Sequence, residues 1–87
     1  MPTYARSGTF NNDLKQLDLV SMKRFVFTVR EQFVPDLAAG SFRPGLRVKR
    51  VQGTSGRVWE MTWAPNGRAT WQYGEEVVPG EPHVIWR

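Results

Sequence analysis

The residues able to do chemistry gather in the second half of the chain. Arg47 and Lys49 alternate in one stretch, Glu60 and Thr62 in a second, and Arg68, Thr70 and Gln72 in a third. His83 and Arg87 stand in a fourth. Every second side chain of a β-strand points the same way, so each set shares a face. Together they make a basic, hydrogen-bonding surface with one carboxylate. Arginine gives forked hydrogen bonds to phosphate oxygens and lysine a point charge, so such a surface suits a phosphate chain. It also suits RNA cleavage. There a base takes the proton of a 2′-hydroxyl, cations stabilise the crowded phosphorane, and an acid protonates the leaving 5′-oxygen.

Roles can be assigned by residue type. Glu60 and His83 are the conventional bases near neutral pH, and Lys49 serves as one only beside other positive charge. Arg68 follows the turn glycine Gly67 on the polar face. Each has a plainer reading. Glu60 can form an ordinary salt bridge with Arg68 or Arg47. His83, just after Pro82, can be a surface residue at a strand entry. Trp59, Trp63, Trp71 and Trp86 can stack bases, but their alternation places them with the core. No His, Cys and Asp cluster has metal-ligand spacing, no glycine-rich loop joins a strand to a helix, and no serine nucleophile motif occurs. The residues imply no metal and no cofactor.

The net charge is +4 over 87 residues. Its distribution is uneven: Arg43, Arg47, Lys49, Arg50 and Arg57 fall in one stretch with no acidic residue. A run of this kind fits a polyanion or an acidic protein partner, or simply a solvated surface.

The elements that must position these residues are short. Residues 4–10 read as a strand interrupted at Ser7-Gly8. Asn11, Asn12 and Asp13 are good helix-capping residues, which places a short helix up to about Leu17. A second helix starts near Ser21, with Met22, Phe25, Val26, Val29 and Phe33 on one stripe. Pro35 kinks or ends it, and Gly40 closes a last turn. The two helices form a hairpin whose apolar stripes pack on a sheet, rather than form a peptide-binding groove. Leu46 and Val48 share one face of the next strand, and the alternation reverses at Arg50-Val51, a bulge or strand end. Gly53-Thr54-Ser55-Gly56 reads as a flexible connection.

Trp59, Met61 and Trp63 alternate with Val58, Glu60 and Thr62, and Ala69, Trp71 and Tyr73 alternate with Arg68, Thr70 and Gln72. Ala64-Pro65-Asn66-Gly67 suits a type I turn with Gly67 in the left-handed position of a bulge. A three-residue loop of this kind pairs Ala64 with Arg68, Thr62 with Thr70 and Glu60 with Gln72. All polar residues then share one face, whereas two- or four-residue loops mix the faces. An acidic loop over residues 74–80 leads to a last strand, with Val84 and Trp86 on one side and His83, Ile85 and Arg87 on the other. The expectation is an α+β fold: an N-terminal strand, a helical hairpin and an antiparallel meander with the helices on one face.

Residues 1–87 amount to one small domain. The absence of cysteine fits a reducing cytoplasm, the first residues lack the apolar core of a signal peptide, and no apolar run approaches membrane-spanning length.

The order strand, helical hairpin, basic meander resembles the RelE/ParE superfamily of bacterial toxins from toxin–antitoxin pairs. Leu46-Arg47-Val48-Lys49-Arg50-Val51-Gln52-Gly53 resembles the family's Leu-Lys-Gly-type strand. Val58-Trp59-Glu60-Met61-Thr62-Trp63 and Gly67-Arg68-Ala69-Thr70-Trp71 resemble its paired strands, the second beginning with a functional arginine. The Gly-Arg-Ala-Thr and His-Val-Ile-Trp-Arg segments are similar to those of actinobacterial members. The resemblance implies a metal-independent, ribosome-dependent endonuclease. It acts in the cytoplasm on mRNA in the ribosomal A site and is held inactive by a cognate antitoxin. It assigns Arg68 to the scissile phosphate and Lys49 to catalysis with Arg47 or Arg50 beside it. Glu60 and His83 complete the candidate catalytic set, and Arg43, Arg47, Arg50, Arg57, Thr70 and Arg87 are the candidate RNA contacts. Members continue past the last strand into a tail with a further catalytic His, Arg or Tyr. This sequence stops at Arg87, so a truncated domain stays open. It also lacks a carboxylate over residues 46–51 to match the glutamate of YoeB-type members. A ParE-like gyrase inhibitor and a non-catalytic nucleic-acid-binding module are the competing readings.

Overall fold

The computed structural model describes residues 1–53 and 57–87. The chain is α+β. Strand β1 (Thr3–Arg6) leads into helix α1 (Gly8–Lys15) and helix α2 (Leu19–Thr28). A π-helical turn (Val29–Phe33) connects α2 to α3 (Val34–Ala39). After a 3₁₀ turn (Pro44–Leu46) come β2 (Lys49–Arg50), β3 (Trp59–Ala64), β4 (Gly67–Tyr73) and β5 (His83–Trp86). The five strands form one sheet in the order β1-β5-β4-β3-β2. The last four strands are consecutive antiparallel neighbours, while β1 lies parallel to β5. The sheet as a whole is therefore not a simple meander.

Helix boundaries follow the capping side chains. The first strand ends at Arg6, not at Phe10, because Ser7 already caps α1: its Oγ accepts a hydrogen bond from the Phe10 N–H at 3.1 Å. Asn11, Asn12 and Asp13 thus lie inside the helix they were expected to start. Likewise α2 begins at Leu19, because Asp18 caps it by accepting from the Ser21 N–H at 2.7 Å. That bond holds the Asp18 carboxyl below the usual carboxylate range. Pro35 does not end the helix. The Val34 N–H reaches back five residues to the Val29 carbonyl, and the widened turn places Pro35 in the first turn of α3, where its missing N–H is tolerated. Gly40 closes α3 at φ +81°, the left-handed position expected of it.

The helices cover one face of the sheet through aromatic rings. Phe10 stacks on Trp86 with centroids 5.6 Å apart, and Phe33 meets the edge of Trp71 at 4.8 Å. Phe25 packs edge-on against Trp63 at 5.4 Å. Met61 and Trp71 are fully buried at 0% exposure, and Trp59 and Trp63 pack partly buried against the same core. All four tryptophans therefore belong to the core side, as their alternation predicts.

The β3–β4 turn departs from the expected register. Glu60 faces Thr70, Thr62 faces Arg68 and Ala64 faces Gly67. The loop has two residues, Pro65 and Asn66, and the strands pair two positions tighter than the three-residue loop predicts. A two-residue loop would mix the faces, but Trp63 is inserted as a bulge between Thr62 and Ala64 and restores the parity. The polar sets therefore still share one face. Gly67 is not in the left-handed region. It is needed for space: a Cβ there would lie 2.6 Å from the Trp63 ring.

The strand expected from Leu46 is also shorter. Leu46 is buried in the 3₁₀ turn and Arg47 takes the left-handed conformation at φ +50°. The strand begins only at Lys49 and ends at Arg50, where the reversed alternation marks its limit. The connection expected at Gly53-Thr54-Ser55-Gly56 falls largely outside the described residues. No helix among them is long and apolar enough to cross a membrane.

Candidate nucleic-acid interface

The uncovered face of the sheet holds the residues of interest. Register alone assembles them. Lys49 on β2 faces Glu60 on β3, which faces Thr70 on β4. Arg87 extends the row: its N–H donates to the Thr70 carbonyl at 2.9 Å, and the Thr70 hydroxyl donates to the Arg87 carbonyl at 3.4 Å. Thr62 and Arg68 form the adjacent row. Thr70 and Arg68 are two residues apart on β4, so Arg87 and Arg68 are diagonal neighbours on one face.

One carboxylate oxygen organises the cluster. Glu60 Oε1 lies 3.7 Å from Lys49 Nζ and 3.8 Å from Arg68 Nε. Neither distance is that of a hydrogen bond. The guanidinium of Arg68 is also tied to the turn, with Nη1 donating to the Gly67 carbonyl at 3.3 Å and to the Pro65 carbonyl at 3.5 Å. Arg68 and Arg87 both line a cleft of about 100 Å³ between α1 and the end of the sheet, with Asp13 and Trp63 on its walls. Three cations against one carboxylate leave the Lys49, Glu60, Arg68 and Arg87 cluster at +2. A surface of this kind attracts anions and gives forked contacts to phosphate.

Several expected members stand elsewhere. His83 is on the same side of the sheet but at the other end. Its Nδ1 is 2.7 Å from the Thr3 hydroxyl, and its carbonyl accepts from the N–H of Gly74, just past the end of β4. Gly74 stands four residues from Thr70, which is about 13 Å along the strand. His83 thus cannot share a reacting atom with Glu60. Arg43 is occupied: its Nε and Nη2 fork onto Asp36 at 2.8 and 2.9 Å, and its backbone N–H adds a third bond at 2.8 Å. The same fork holds the Asp36 carboxyl below the usual range. Arg50 is on the opposite face, where its guanidinium sits 5.0 Å over the Trp59 ring. Arg47 is turned off the strand by its left-handed backbone. Arg57 is exposed ahead of β3 and takes no part in the cluster's ion pairs. The ionic neighbour of Lys49 is the Glu60 anion, not the cation that a lysine base requires.

A second surface was not expected from the sequence. A groove of about 290 Å³ runs between β1 and the helices, over Trp86 and Val84. Tyr4 and Arg6 line it from the strand, Val26 and Arg30 from the helical side. Two signals were available: the stripe of Phe25, Val26, Val29 and Phe33, read as packing on the sheet rather than as a groove, and the two-residue spacing of Tyr4 and Arg6, which puts both on the helix-covered face. Among the described residues no cluster of His, Cys, Asp and Glu could hold a metal ion. Compared with protein-family models, curated proteins and solved structures, the chain matches none.

Proposed function

We propose that the chain is a RelE-like toxin of a type II toxin–antitoxin pair, a metal-independent endoribonuclease acting on mRNA in the ribosomal A site. The observation that carries this reading is the convergence of Lys49 and Arg68 on one oxygen, with Arg87 beside them. A phosphate seated there receives an arginine fork and a lysine charge together, which stabilises the added charge of a phosphorane. Glu60 is the base of this site, since it is the carboxylate within reach of a 2′-hydroxyl next to that phosphate. The antitoxin and a cytoplasmic site of action belong to the same proposal.

The test is expression of the chain without its partner. Growth arrest and cuts in ribosome-bound mRNA are expected, with both relieved by Arg68→Ala. Absence of arrest and of cleavage for the wild-type chain overturns the nuclease reading.

A second reading, a nucleic-acid-binding module without catalysis, is favoured by the remoteness of His83, which leaves the cluster without an imidazole acid. It expects salt-dependent RNA binding with no cleavage. Inhibition of DNA supercoiling, with mRNA intact, would instead support a ParE-like gyrase inhibitor.

A further inference from the structure

We infer that the Glu60 carboxylate is a built-in stand-in for the phosphate, occupying the Lys49–Arg68 position until a polyanion displaces it. This rests on the proposed phosphate-gripping role of the same face. Three observations support it. First, the two cations address the same oxygen, Oε1, from opposite sides: Lys49 from the edge strand β2, Arg68 from β4. That is the arrangement two cations take around a phosphate oxygen. Second, the hold is loose. At 3.7 and 3.8 Å the pairs are electrostatic contacts without a hydrogen bond, and the Lys49 and Arg68 side chains are well exposed. Third, the contrast within the molecule is sharp. Asp36 receives three hydrogen bonds of 2.8–2.9 Å from Arg43 and is thereby a structural clamp. Glu60 receives none of that kind from its cations.

The consequence is a brake on affinity. An incoming phosphate must break two ion pairs and approach a carboxylate before it gains the two cations. Removing the negative charge at residue 60 therefore strengthens polyanion binding. The gain depends on the cations, because it comes from releasing them.

The experiment measures binding of a single-stranded 2′-O-methyl RNA oligonucleotide, which lacks the hydroxyl that cleavage uses, by fluorescence anisotropy across a salt series. Glu60→Gln should bind roughly fivefold tighter than the wild type, the size of two exposed ion pairs. Glu75→Gln, the same charge change in the acidic loop, should gain much less. In an Arg68→Gln background the gain from Glu60→Gln should shrink, since the two sites are coupled. Thermal melts establish that each variant is folded. If Glu60→Gln binds no tighter than Glu75→Gln, or gains the same factor with and without Arg68, the stand-in is overturned. That failure is distinct from failure of the site itself, which shows as Arg68→Gln leaving wild-type binding unchanged.

Discussion

The two faces of the sheet are built on opposite terms. On the covered face Trp59, Trp71 and Trp86 stand in register across three strands, and helical phenylalanines close over Trp71 and Trp86 at ring distances of 4.8 to 5.6 Å. On the open face Lys49, Glu60, Thr70 and Arg87 stand in register across the same sheet, and their ion pairs are longer than hydrogen bonds. The same pleat produces both rows. What differs is solvent. Burial makes each ring contact count toward folding, whereas water screens the charges and leaves them free to exchange partners. On the proposed reading one face sets stability and the other sets RNA affinity, and substitutions should sort accordingly.

The strongest way to break this division is Trp71→Ala. It empties a fully buried site and should cost about 3–5 kcal/mol in denaturant unfolding, much of what a domain of this size possesses. Trp71→Phe is the sharper probe. Among the described residues the buried Trp71 Nε1 has no partner at hydrogen-bond geometry, so the phenylalanine variant loses ring volume but also removes an unpaired donor. It should cost markedly less than alanine. A loss equal to that of Trp71→Ala would show that the indole N–H is satisfied after all.

Gly67→Ala should come next, at about 1–3 kcal/mol, because its Cβ runs into the Trp63 ring. Gly45→Ala, with open space around it, should stay within about 0.5 kcal/mol. Equal melting shifts for the two would mean that Gly67 is not a packing glycine.

On the open face, Arg68→Ala should weaken RNA binding across sequences and lower the salt slope by about 1, while unfolding free energy moves by no more than about 0.5 kcal/mol. A large stability loss with an unchanged slope would place Arg68 with the structural residues.

The smallest effect concerns pH. Asp36 has its folded-state pKa depressed chiefly by the Arg43 hydrogen bonds, so its contribution is complete above the unfolded value of about 3.9 and is lost as pH falls through the lower folded value. Stability should therefore not respond to Asp36 between pH 5 and about pH 8. Below about pH 4 the wild type should lose more melting temperature than Asp36→Asn. Parallel acid titrations would show that the fork contributes nothing.

Much of the positional logic was legible in the residues. The alternation in β3, β4 and β5 predicted which side chains face the core, because a strand's period of two is local. It placed Glu60, Thr62, Arg68 and Thr70 on one face, while glycine's preference for the left-handed cap placed Gly40 at a helix end. Other features were hidden because they depend on atoms distant in sequence. Ser7 and Asp18 outcompeted equally good caps, and only the packed helices decide between them. The two-residue turn became compatible with the alternation only through the Trp63 bulge, which Phe25 from α2 holds in place. The pairing of Arg43 with Asp36 and of Arg50 with Trp59 withdrew two of the expected RNA contacts.

The sequence by itself determined the faces: which residues meet the core and which meet water, since that follows from periodicity along one strand. Only the tertiary structure decided the neighbours, since register between strands and the reach of long charged side chains are set by bulges, turns and packing. That is why Glu60 could be placed on the open face from its alternation alone. Its position between Lys49 and Arg68, and its separation from His83, required the sheet to be assembled.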